Sequence, residues 1–324
     1  MRCAQCGYGL TGTTGSHCPA CGGPVDFKSR SSEPRAGGAL FSVDFTERLH
    51  RSQVNVRWDN RQPPHTPALD AMIEDTWQRH LAVARRTGQL LYNGPMVRLD
   101  HWRLDEAVMT LETGPTDYRH FIGTNYGNGD RIDAFGHRTY ANPVGISAVP
   151  ITTDGWMLLG RRRPDLACHG GYLHPIGGTL EPQDRADDGA LDVFAAMERE
   201  LTEELCITSG EIAELVCIGL IRDGEIHQPE LVFEAVTTLD RQQILERFDP
   251  AAPGQEHSAL ESCPDRPDAV APFIGPCHRI APICVGSILL HGLQAWGRDW
   301  FESACHAIMG HSPPPTPSSG LTSP

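Results

Sequence analysis

The sequence predicts an α/β fold in which helices cover both sides of a β-sheet, an α/β/α sandwich. Two pairs of short apolar segments are each joined by an Asp-Gly turn, at Asp154-Gly155 and Asp223-Gly224, and this pattern favours β-hairpins. An amphipathic segment with an acidic cluster lies between these hairpins, and a further apolar segment follows them near residue 300. Strands interrupted by helices in this order are typical of a layered α/β fold.

Length and charge limit the classes of protein to consider. The chain has 324 residues, of which 40% are hydrophobic, so it can form one large domain plus an appendage. A formal net charge of −14 makes it a poor nonspecific ligand for nucleic acid or anionic membranes, because both need basic surface. There is no run of eighteen apolar residues and no N-terminal signal segment. We expect a cytoplasmic protein with no membrane association and no strong nucleic-acid binding.

Composition divides the chain into five segments. We expect a small cysteine-rich module at 1–25 and a polar linker rich in Ser, Gly and Pro at 26–40. An N-terminal lobe at 41–140 and the core of the fold at 141–311 follow. The Pro- and Ser-rich residues 312–324 cannot form a core and are predicted to be a disordered tail.

The N-terminal module carries two C-x2-C pairs separated by eleven residues, formed by Cys3, Cys6, Cys18 and Cys21. Two such pairs supply four thiolates for tetrahedral Zn²⁺, and the alternatives are a redox pair or unrelated cysteines. A piece of about 25 residues cannot bury a core alone, so the metal would provide its folding energy. Four protein ligands leave no open position. We therefore expect a zinc ribbon with structural zinc, or one that docks a protein partner.

Hydrophobic periodicity predicts the other elements. Apolar residues at helical spacing predict a helix from Thr66 to Gly88, and alternation predicts strands from Val97 to Trp102 and from Val108 to Leu111. The hairpin strands are predicted at Gly145 to Val149, Trp156 to Gly160, Leu215 to Ile221 and Glu230 to Thr237. The stretch GSILLHGLQAWGRDWFESAC predicts one C-terminal helix.

The stretch MERELTEELCI, beginning at Met197, gathers like charges on a predicted helix, although like charges three and four residues apart repel. Helical spacing places Glu200, Glu203 and Glu204 together, beside an apolar stripe formed by Phe194, Met197, Leu201 and Leu205. The simplest alternative is an ordinary solvated face. Three converging carboxylates form an oxygen cage for a hard divalent cation, Mg²⁺ or Mn²⁺. Arg199 can orient or partly neutralise them.

The loop HPIGGTLEPQD before this helix, followed by Arg-Glu-Leu-x-Glu-Glu, resembles the Nudix box of diphosphate hydrolases. Gly178 matches the opening glycine, Arg199, Glu200, Glu203 and Glu204 match the Arg and acidic positions, and Ile207 matches the closing apolar position. There are three departures. Asp184 stands at the first glutamate position, with Glu181 as its alternative; fourteen residues separate Asp184 from Arg199; and Cys206 replaces the late glycine. We expect Asp187 or Asp188, in the longer loop, to cap the helix.

The segments DYRHFIGTNYG, ANPVGISAVPITTDGWMLLGRR and PIGGTLEPQ, in that order, resemble the UDP-sugar diphosphatase family known as Nudix motif 22, over about residues 66–300. The resemblance implies a Nudix-type α/β/α sandwich with an N-terminal lobe. It also implies Mg²⁺-dependent cleavage of UDP-glucose or UDP-galactose to UMP and sugar 1-phosphate. Thr124 and Asn125 have the polar groups that a uracil edge needs, and Tyr126 can stack on it. The alternative is that these residues pack the lobe onto the core.

The implied chemistry assigns further roles. Metal ions on Glu200 and Glu204 would neutralise the diphosphate and lower the pKa of a bound water, with Glu203 as ligand or base and Arg199 as the orienting residue. Gly177 and Gly178 permit close approach to substrate. Arg161, with Arg162 and Arg163, can reach phosphate or form a solvated turn. Glu256 and His257 are candidates in a late loop, or surface residues.

Two rival functions stay open. One is a Nudix pyrophosphatase of the NADH or ADP-ribose type; NADH pyrophosphatases of the superfamily also carry a zinc ribbon, but with a box of standard length and a downstream Ser-Gln-Pro-Trp-Pro-Phe-Pro segment. A non-catalytic Nudix-fold regulator that senses a nucleotide is the other rival, which Cys206 and the stretched box permit. The retained trio of carboxylates favours an enzyme.

Overall fold

The computed structural model describes residues 40–88, 91–166, 168–185, 190–275 and 279–309. The four cysteines of the predicted zinc ribbon, Cys3, Cys6, Cys18 and Cys21, lie outside the described residues. So do the predicted tail at 312–324 and all but the last residue of the predicted linker. These assignments stay predictions.

The described residues form the following strands and helices. The strands are β1 (Phe41–Phe45), β2 (Val54–Trp58), β3 (Pro95–Asp105), β4 (Val108–Asp117), β5 (Gly145–Ile151), β6 (Trp156–Arg162), β7 (Leu173–His174), β8 (Ile176–Thr179), β9 (Ile212–Asp223), β10 (Pro229–Thr237) and β11 (His257–Pro264). The helices are α1 (Pro67–Thr87), α2 (Tyr118–Phe121), α3 (Ile132–Phe135), α4 (Val193–Leu205), α5 (Arg241–Arg247), α6 (Pro267–Ile274), α7 (Pro282–Trp296) and α8 (Arg298–Met309).

The main sheet is mixed and has the strand order β1-β9-β10-β5-β6-β11 in the described part of the chain. Strands β10 and β5 are parallel, whereas β9 and β10 form the antiparallel hairpin that the Asp223-Gly224 turn predicts. Strand β5 pairs with β6 only at Ile151 and Met157. Beyond that point β8 pairs with β5 and β7 pairs with β6, so these two short strands separate the two hairpin strands. The stretch HPIGGTLEPQD (the box loop) was predicted to be a loop, and this is wrong in part, because Ile176–Thr179 form strand β8.

Helices cover the main sheet on both sides because successive side chains of its strands point in opposite directions. Ala148 and Phe233 share one buried cluster with Met197 of α4. Val149 and Ile288 of α7 belong to a second buried cluster, which also contains residues of α6 and α8. This arrangement confirms the predicted α/β/α sandwich.

The predicted N-terminal lobe contains α1 and a small sheet with the order β2-β4-β3. Helix α1 begins after Thr66, whose side chain accepts a hydrogen bond from the Leu69 amide, and ends at Gly88 with a left-handed φ of 71°. The stretch 41–45, which opens the predicted lobe, pairs instead with β9 as β1 of the main sheet. The two parts of the chain are therefore joined through a shared sheet.

The prediction of one C-terminal helix is wrong, because two helices, α7 and α8, occupy that stretch. Gly297 lies between them with a φ of 87°. A positive φ of this size is unfavourable for residues with a side chain but not for glycine. The chain therefore turns at Gly297, and α8 packs back against α7.

In the part of the chain that the structure describes, no helix combines the length and the apolar character needed to cross a membrane.

Candidate active site

Helix α4, which carries the acidic cluster, has a cap at each end. Asp192 accepts hydrogen bonds from the amides of Phe194 at 2.9 Å and Ala195 at 3.1 Å. The expectation that Asp187 or Asp188 caps the helix is therefore wrong, because Asp192 holds that position. Cys206 ends the helix with a left-handed φ of 55°. Glycine is favoured in that conformation, which explains why the Nudix box has a glycine where this chain has Cys206.

The predicted apolar stripe of α4 anchors the helix to the core. Phe194, Met197, Leu201 and Leu205 are all buried. The stripe fixes the rotation of the helix and thereby turns Glu200 and Glu204 towards the box loop.

The box loop contacts the carboxylates of α4 directly. The Gly177 amide donates a 2.9 Å hydrogen bond to Oε2 of Glu204. Gly178 packs against Glu200 so closely that a Cβ atom would lie 2.5 Å from Oε1. The two glycines were predicted as substrate-binding residues, and the structure places them beside the candidate metal ligands.

Arg199 bridges three carboxylates at the surface of this cluster. Its Nη1 lies 2.9 Å from Oε1 of Glu200 and 3.1 Å from Oε2 of Glu203. Its Nε donates a 3.2 Å hydrogen bond to Oδ1 of Asp184, which also accepts from the Glu181 amide through Oδ2 at 2.8 Å. Arg199 therefore has the geometry of the predicted orienting residue, and Asp184 lies at the site although the box is stretched.

Burial dominates the electrostatics of the cluster. Desolvation raises the pKa of Glu200 to about 7, against the opposing effect of Arg199. Desolvation and the neighbouring Glu200 raise the pKa of Glu204 well above its usual value. Glu203 is different, since 58% of its side chain is exposed. Each of these two adjacent buried carboxylates disfavours the ionisation of the other. A positive charge beside them would stabilise their ionised forms.

The donor set fits a hard divalent cation, because carboxylate oxygens are the ligands that Mg²⁺ prefers. The predicted three-carboxylate cage is nevertheless not assembled. Within the described ranges, no group of three or more His, Cys, Asp or Glu side chains is arranged to hold a metal ion. Arg199 engages Glu200 and Glu203, and Gly177 engages Glu204. Glu200 and Glu204 remain the residues best placed to hold a cation.

The predicted late loop reaches the same cluster, although its residues from His257 onwards form strand β11 and not a loop. Glu256 pairs with Arg162 at 3.0 Å, and Nδ1 of His257 lies 3.3 Å from Oε1 of Glu204. Burial and the charge of Arg162 lower the pKa of His257 to about 3. The two candidates named from the sequence therefore lie at the site, and His257 is not a surface residue.

Gln255 is a site residue that sequence reasoning missed. Its Nε2 donates a 3.0 Å hydrogen bond to the carbonyl of Glu204, and its Oε1 accepts from the His257 amide at 2.9 Å. A single glutamine belongs to no recognisable sequence motif. Only the adjacent Glu256 and His257 pointed to this segment in the sequence.

The neighbouring arginines are engaged by acidic side chains. Nε of Arg161 donates a 2.5 Å hydrogen bond to Glu261 in β11, and Nη1 donates to the Gly171 carbonyl at 3.0 Å. Arg163 pairs with Asp165 at 3.0 Å on the surface. Of the three arginines, Arg162 comes nearest to the acidic cluster through Glu256.

The predicted uracil-recognition segment is packed inside the protein. Asn125 is fully buried and donates through Nδ2 to Asn142 Oδ1 at 3.1 Å and to the Ile226 carbonyl at 3.0 Å. Thr124 is also buried and donates to the His120 carbonyl at 2.6 Å. The ring of Tyr126 contacts His80 and Phe121. These contacts favour the alternative that the segment packs the lobe onto the core.

Comparison with known proteins gives two sequence relatives, and no family model matches the chain. Nudix hydrolase 9 of Arabidopsis thaliana is 24% identical over 249 residues, which cover 66% of this chain and 79% of that protein. Uridine diphosphate glucose pyrophosphatase NUDT22 of Mus musculus is 23% identical over 199 residues, which cover 53% of this chain and 63% of that protein. The chain thus spans less than two thirds of the mouse relative.

Similar solved structures include the Bacillus subtilis pyrophosphohydrolase BsRppH, with a TM-score of 0.32, 15% identity and coverage of 48% of this chain and 81% of that chain. DR0079 from Deinococcus radiodurans has a TM-score of 0.33, 15% identity and coverage of 46% and 81%. The chain is therefore similar, at 24% and 23% identity, to two proteins whose names are those of a Nudix hydrolase and a nucleotide-sugar pyrophosphatase.

Proposed function

We propose that this chain hydrolyses the diphosphate bond of a nucleoside diphosphate sugar with the help of Mg²⁺ or Mn²⁺. The substrates that fit best are UDP-glucose and UDP-galactose, and the products are UMP and the sugar 1-phosphate. The observation that carries the proposal is the pair of buried carboxylates, Glu200 and Glu204, against Gly177 and Gly178 of strand β8. The choice of nucleotide sugar is supported by the resemblance to the Nudix motif 22 family and by the name of the mouse relative.

In this proposal Glu200 and Glu204 hold the divalent cation, with Glu203 as a further ligand or as the base. When bound there, the cation would supply positive charge to the diphosphate oxygens and would make the attacking water more acidic. Hydrolysis joins a water oxygen to one phosphorus and breaks the bond from that phosphorus to the bridging oxygen. The exposed carboxylate of Glu203 accepts the proton of the attacking water. Arg199 fixes the glutamates from the surface side.

Positive charge for the substrate phosphates is available at the end of β6. The Arg161 side chain is 30% exposed and forms an ion pair with Glu261. Arg162 is more buried and is paired with Glu256 beside the glutamates. We propose that Arg161, together with Gly177 and Gly178 of strand β8, contacts the diphosphate. The buried Thr124 and Asn125 are not part of this proposal.

A comparison of substrates separates the proposal from the first alternative, a pyrophosphatase of the NADH or ADP-ribose type. The protein is incubated with UDP-glucose, UDP-galactose, NADH and ADP-ribose in parallel, with Mg²⁺, and products are separated by chromatography. We expect UMP and sugar 1-phosphate as the main products. Preferred cleavage of NADH or ADP-ribose would instead assign the chain to the other group of Nudix pyrophosphatases.

One observation favours the second rival, a nucleotide-sensing regulator without catalysis. Arg199 engages Glu200 and Glu203, so the carboxylates are not preassembled around a metal. A regulator binds a nucleoside diphosphate derivative, measured by calorimetry, without releasing any product. An active hydrolase releases product whenever Mg²⁺ is present.

The N-terminal zinc ribbon and the cytoplasmic location remain proposals from the sequence. The ribbon would carry Zn²⁺ on Cys3, Cys6, Cys18 and Cys21, and would serve as a structural module or as a docking module for a protein partner, without taking part in the chemistry.

A further inference from the structure

His257 is a fully buried imidazole with no hydrogen-bond partner for its ring among the described residues. Its exposed fraction is 0%, and both Nδ1 and Nε2 lack a partner. Buried polar atoms are nearly always hydrogen-bonded, so an exception at a functional site needs an explanation. The nearest acidic atom is Oε1 of Glu204, 3.3 Å from Nδ1.

The surrounding residues fix the position of this imidazole. Gly160 of β6 lies directly against the ring, where a Cβ atom would be 2.2 Å from Cδ2. Gln255 ties the backbone of His257 to the backbone of Glu204 with hydrogen bonds of 2.9 Å and 3.0 Å. The histidine is thus held by the sheet on one side and by helix α4 on the other.

The two oxygens of Glu204 face different groups. Oε2 accepts the Gly177 amide, and Oε1 faces His257. Each carboxylate oxygen offers about two acceptor sites. The Gly177 hydrogen bond fixes one oxygen, and Oε1 lies 3.3 Å from Nδ1 of His257 without a formed hydrogen bond, so both oxygens keep lone pairs for a cation.

We propose that His257 is a positioning residue: its unpaired Nδ1, 3.3 Å from Oε1 of Glu204, donates a hydrogen bond to that oxygen when the divalent cation binds and so aims the carboxylate at the cation. This inference rests on the metal-binding role of Glu204 in the proposed function. Partners of this kind, which contact a ligand and not the metal, orient metal ligands in many proteins. Their loss typically weakens metal affinity by about 10- to 100-fold.

Two amide substitutions separate this role from simple packing. In His257→Asn the amide nitrogen occupies about the place of Nδ1, whereas in His257→Gln it occupies about the place of Nε2. The full-length protein is stripped of divalent cations at the glutamate site, and Mn²⁺ affinity is measured by electron paramagnetic resonance. The Glu204→Gln variant serves as the control for Mn²⁺ that binds outside the glutamate site. Circular dichroism checks that each variant is folded.

We expect His257→Asn to keep Mn²⁺ affinity within a few-fold of the parent and His257→Gln to lose about tenfold or more. Equal affinity of the parent and His257→Gln overturns the inference while leaving the proposed function intact. Equal, weak binding by both variants also overturns it, because the position of Nδ1 then has no effect. A parent that binds no more Mn²⁺ than Glu204→Gln contradicts the proposed function itself.

Discussion

The Gly177 amide donates a 2.9 Å hydrogen bond to Oε2 of Glu204 and so joins the box loop to the acidic helix across 27 residues of sequence. Gly178, the next residue, touches Glu200, the second buried carboxylate. Each glycine therefore contacts one glutamate. The close approach of strand β8 to helix α4 requires the absence of a side chain at Gly178, whereas Gly177 is required by its close approach to Ile146 of strand β5.

Alanine at the two glycines is expected to have different effects. In Gly178→Ala the new Cβ meets the end of the Glu200 side chain, at 2.5 Å from Oε1, and a side chain can move away. We expect a folded protein with impaired hydrolysis. In Gly177→Ala the Cβ meets the Ile146 carbonyl oxygen at 2.0 Å, which is fixed in the sheet. We expect a loss of about 1–3 kcal/mol in the free energy of unfolding.

The two glycine predictions are checked by urea unfolding and by hydrolysis rates, measured on the same preparations of each variant. Gly210→Ala is the control, since a Cβ there has no atom within 4 Å. Full activity in Gly178→Ala would show that the contact with Glu200 does not matter for catalysis.

Replacement of Arg199 by alanine tests the balance of charge at the cluster. The change leaves Asp184, Glu200 and Glu203 without their shared cation, and we expect a loss of about 1–3 kcal/mol in metal-free buffer. Mg²⁺ should restore more stability to this variant than to the parent, because the metal replaces part of the missing charge. Thermal melting with and without Mg²⁺ is the measurement.

The matched control for that substitution is Arg247→Ala, which removes the surface pair with Glu211. Such pairs contribute about 0–1 kcal/mol, and their loss should not depend on Mg²⁺. An Arg199→Ala variant whose melting temperature shifts equally in both buffers would argue against a metal among these carboxylates.

His291 on the opposite face of the sheet predicts a pH dependence of stability. Burial lowers the pKa of His291, but hydrogen bonds to Asp265 at 2.8 Å and Glu234 at 2.7 Å outweigh it and raise the pKa to about 9. Arg48 also pairs with Glu234, at 2.7 Å, and Trp296 packs its ring against the imidazole. The protonated histidine therefore stabilises the folded state.

The direction of this pH dependence follows from the raised pKa of His291. The contribution is fully present below pH 6.5, the unfolded value, and is lost as the pH rises through about 9. Its size is about 3 kcal/mol by linkage. Urea unfolding at pH 6, 8 and 10 should show a steeper loss of stability for the parent than for His291→Gln. Parallel pH profiles of the two proteins would rule out the charged histidine.

The predicted zinc ribbon is tested by metal content. Cys18→Ser removes one of the four expected thiolates, so we expect the purified variant to lose its bound zinc. Cys206→Ser, at an exposed cysteine outside the ribbon, should keep it. Mass spectrometry of metals after gel filtration measures both. A parent protein that contains no zinc contradicts the ribbon.

Local periodicity was sufficient to predict the acidic helix and the β9-β10 hairpin, whereas the strands of the first predicted hairpin pair with each other only at Ile151 and Met157. The stripe with Met197 and Leu201 and the Asp154-Gly155 turn each specify a conformation within a few residues. The site beyond the helix depends on distant contacts. Arg199 is placed by Asp184, 15 residues earlier, and the burial of Asn125 depends on a carbonyl 101 residues away. No local rule predicts such contacts.

The break at Gly297 escaped prediction for a related reason. Glycine inside an apolar helical pattern is tolerated at a cost of about 1 kcal/mol, so the sequence alone does not show whether the helix continues. Here the packing of α8 against α7 requires the turn. Similarly, the stretched box hid the true cap, because Asp192 follows an insertion whose path the spacing does not define.

The release of UMP from UDP-glucose in the presence of Mg²⁺ tests the central claim most directly, when the parent is compared with Glu204→Gln and Glu198→Gln. Glu198 lies on the same helix but pairs with Arg51, away from the cluster. We predict that Glu204→Gln loses more than about 100-fold in rate, the upper range for loss of an outer partner, and that Glu198→Gln stays near the parent. Mg²⁺-dependent release that persists undiminished in Glu204→Gln would contradict the account.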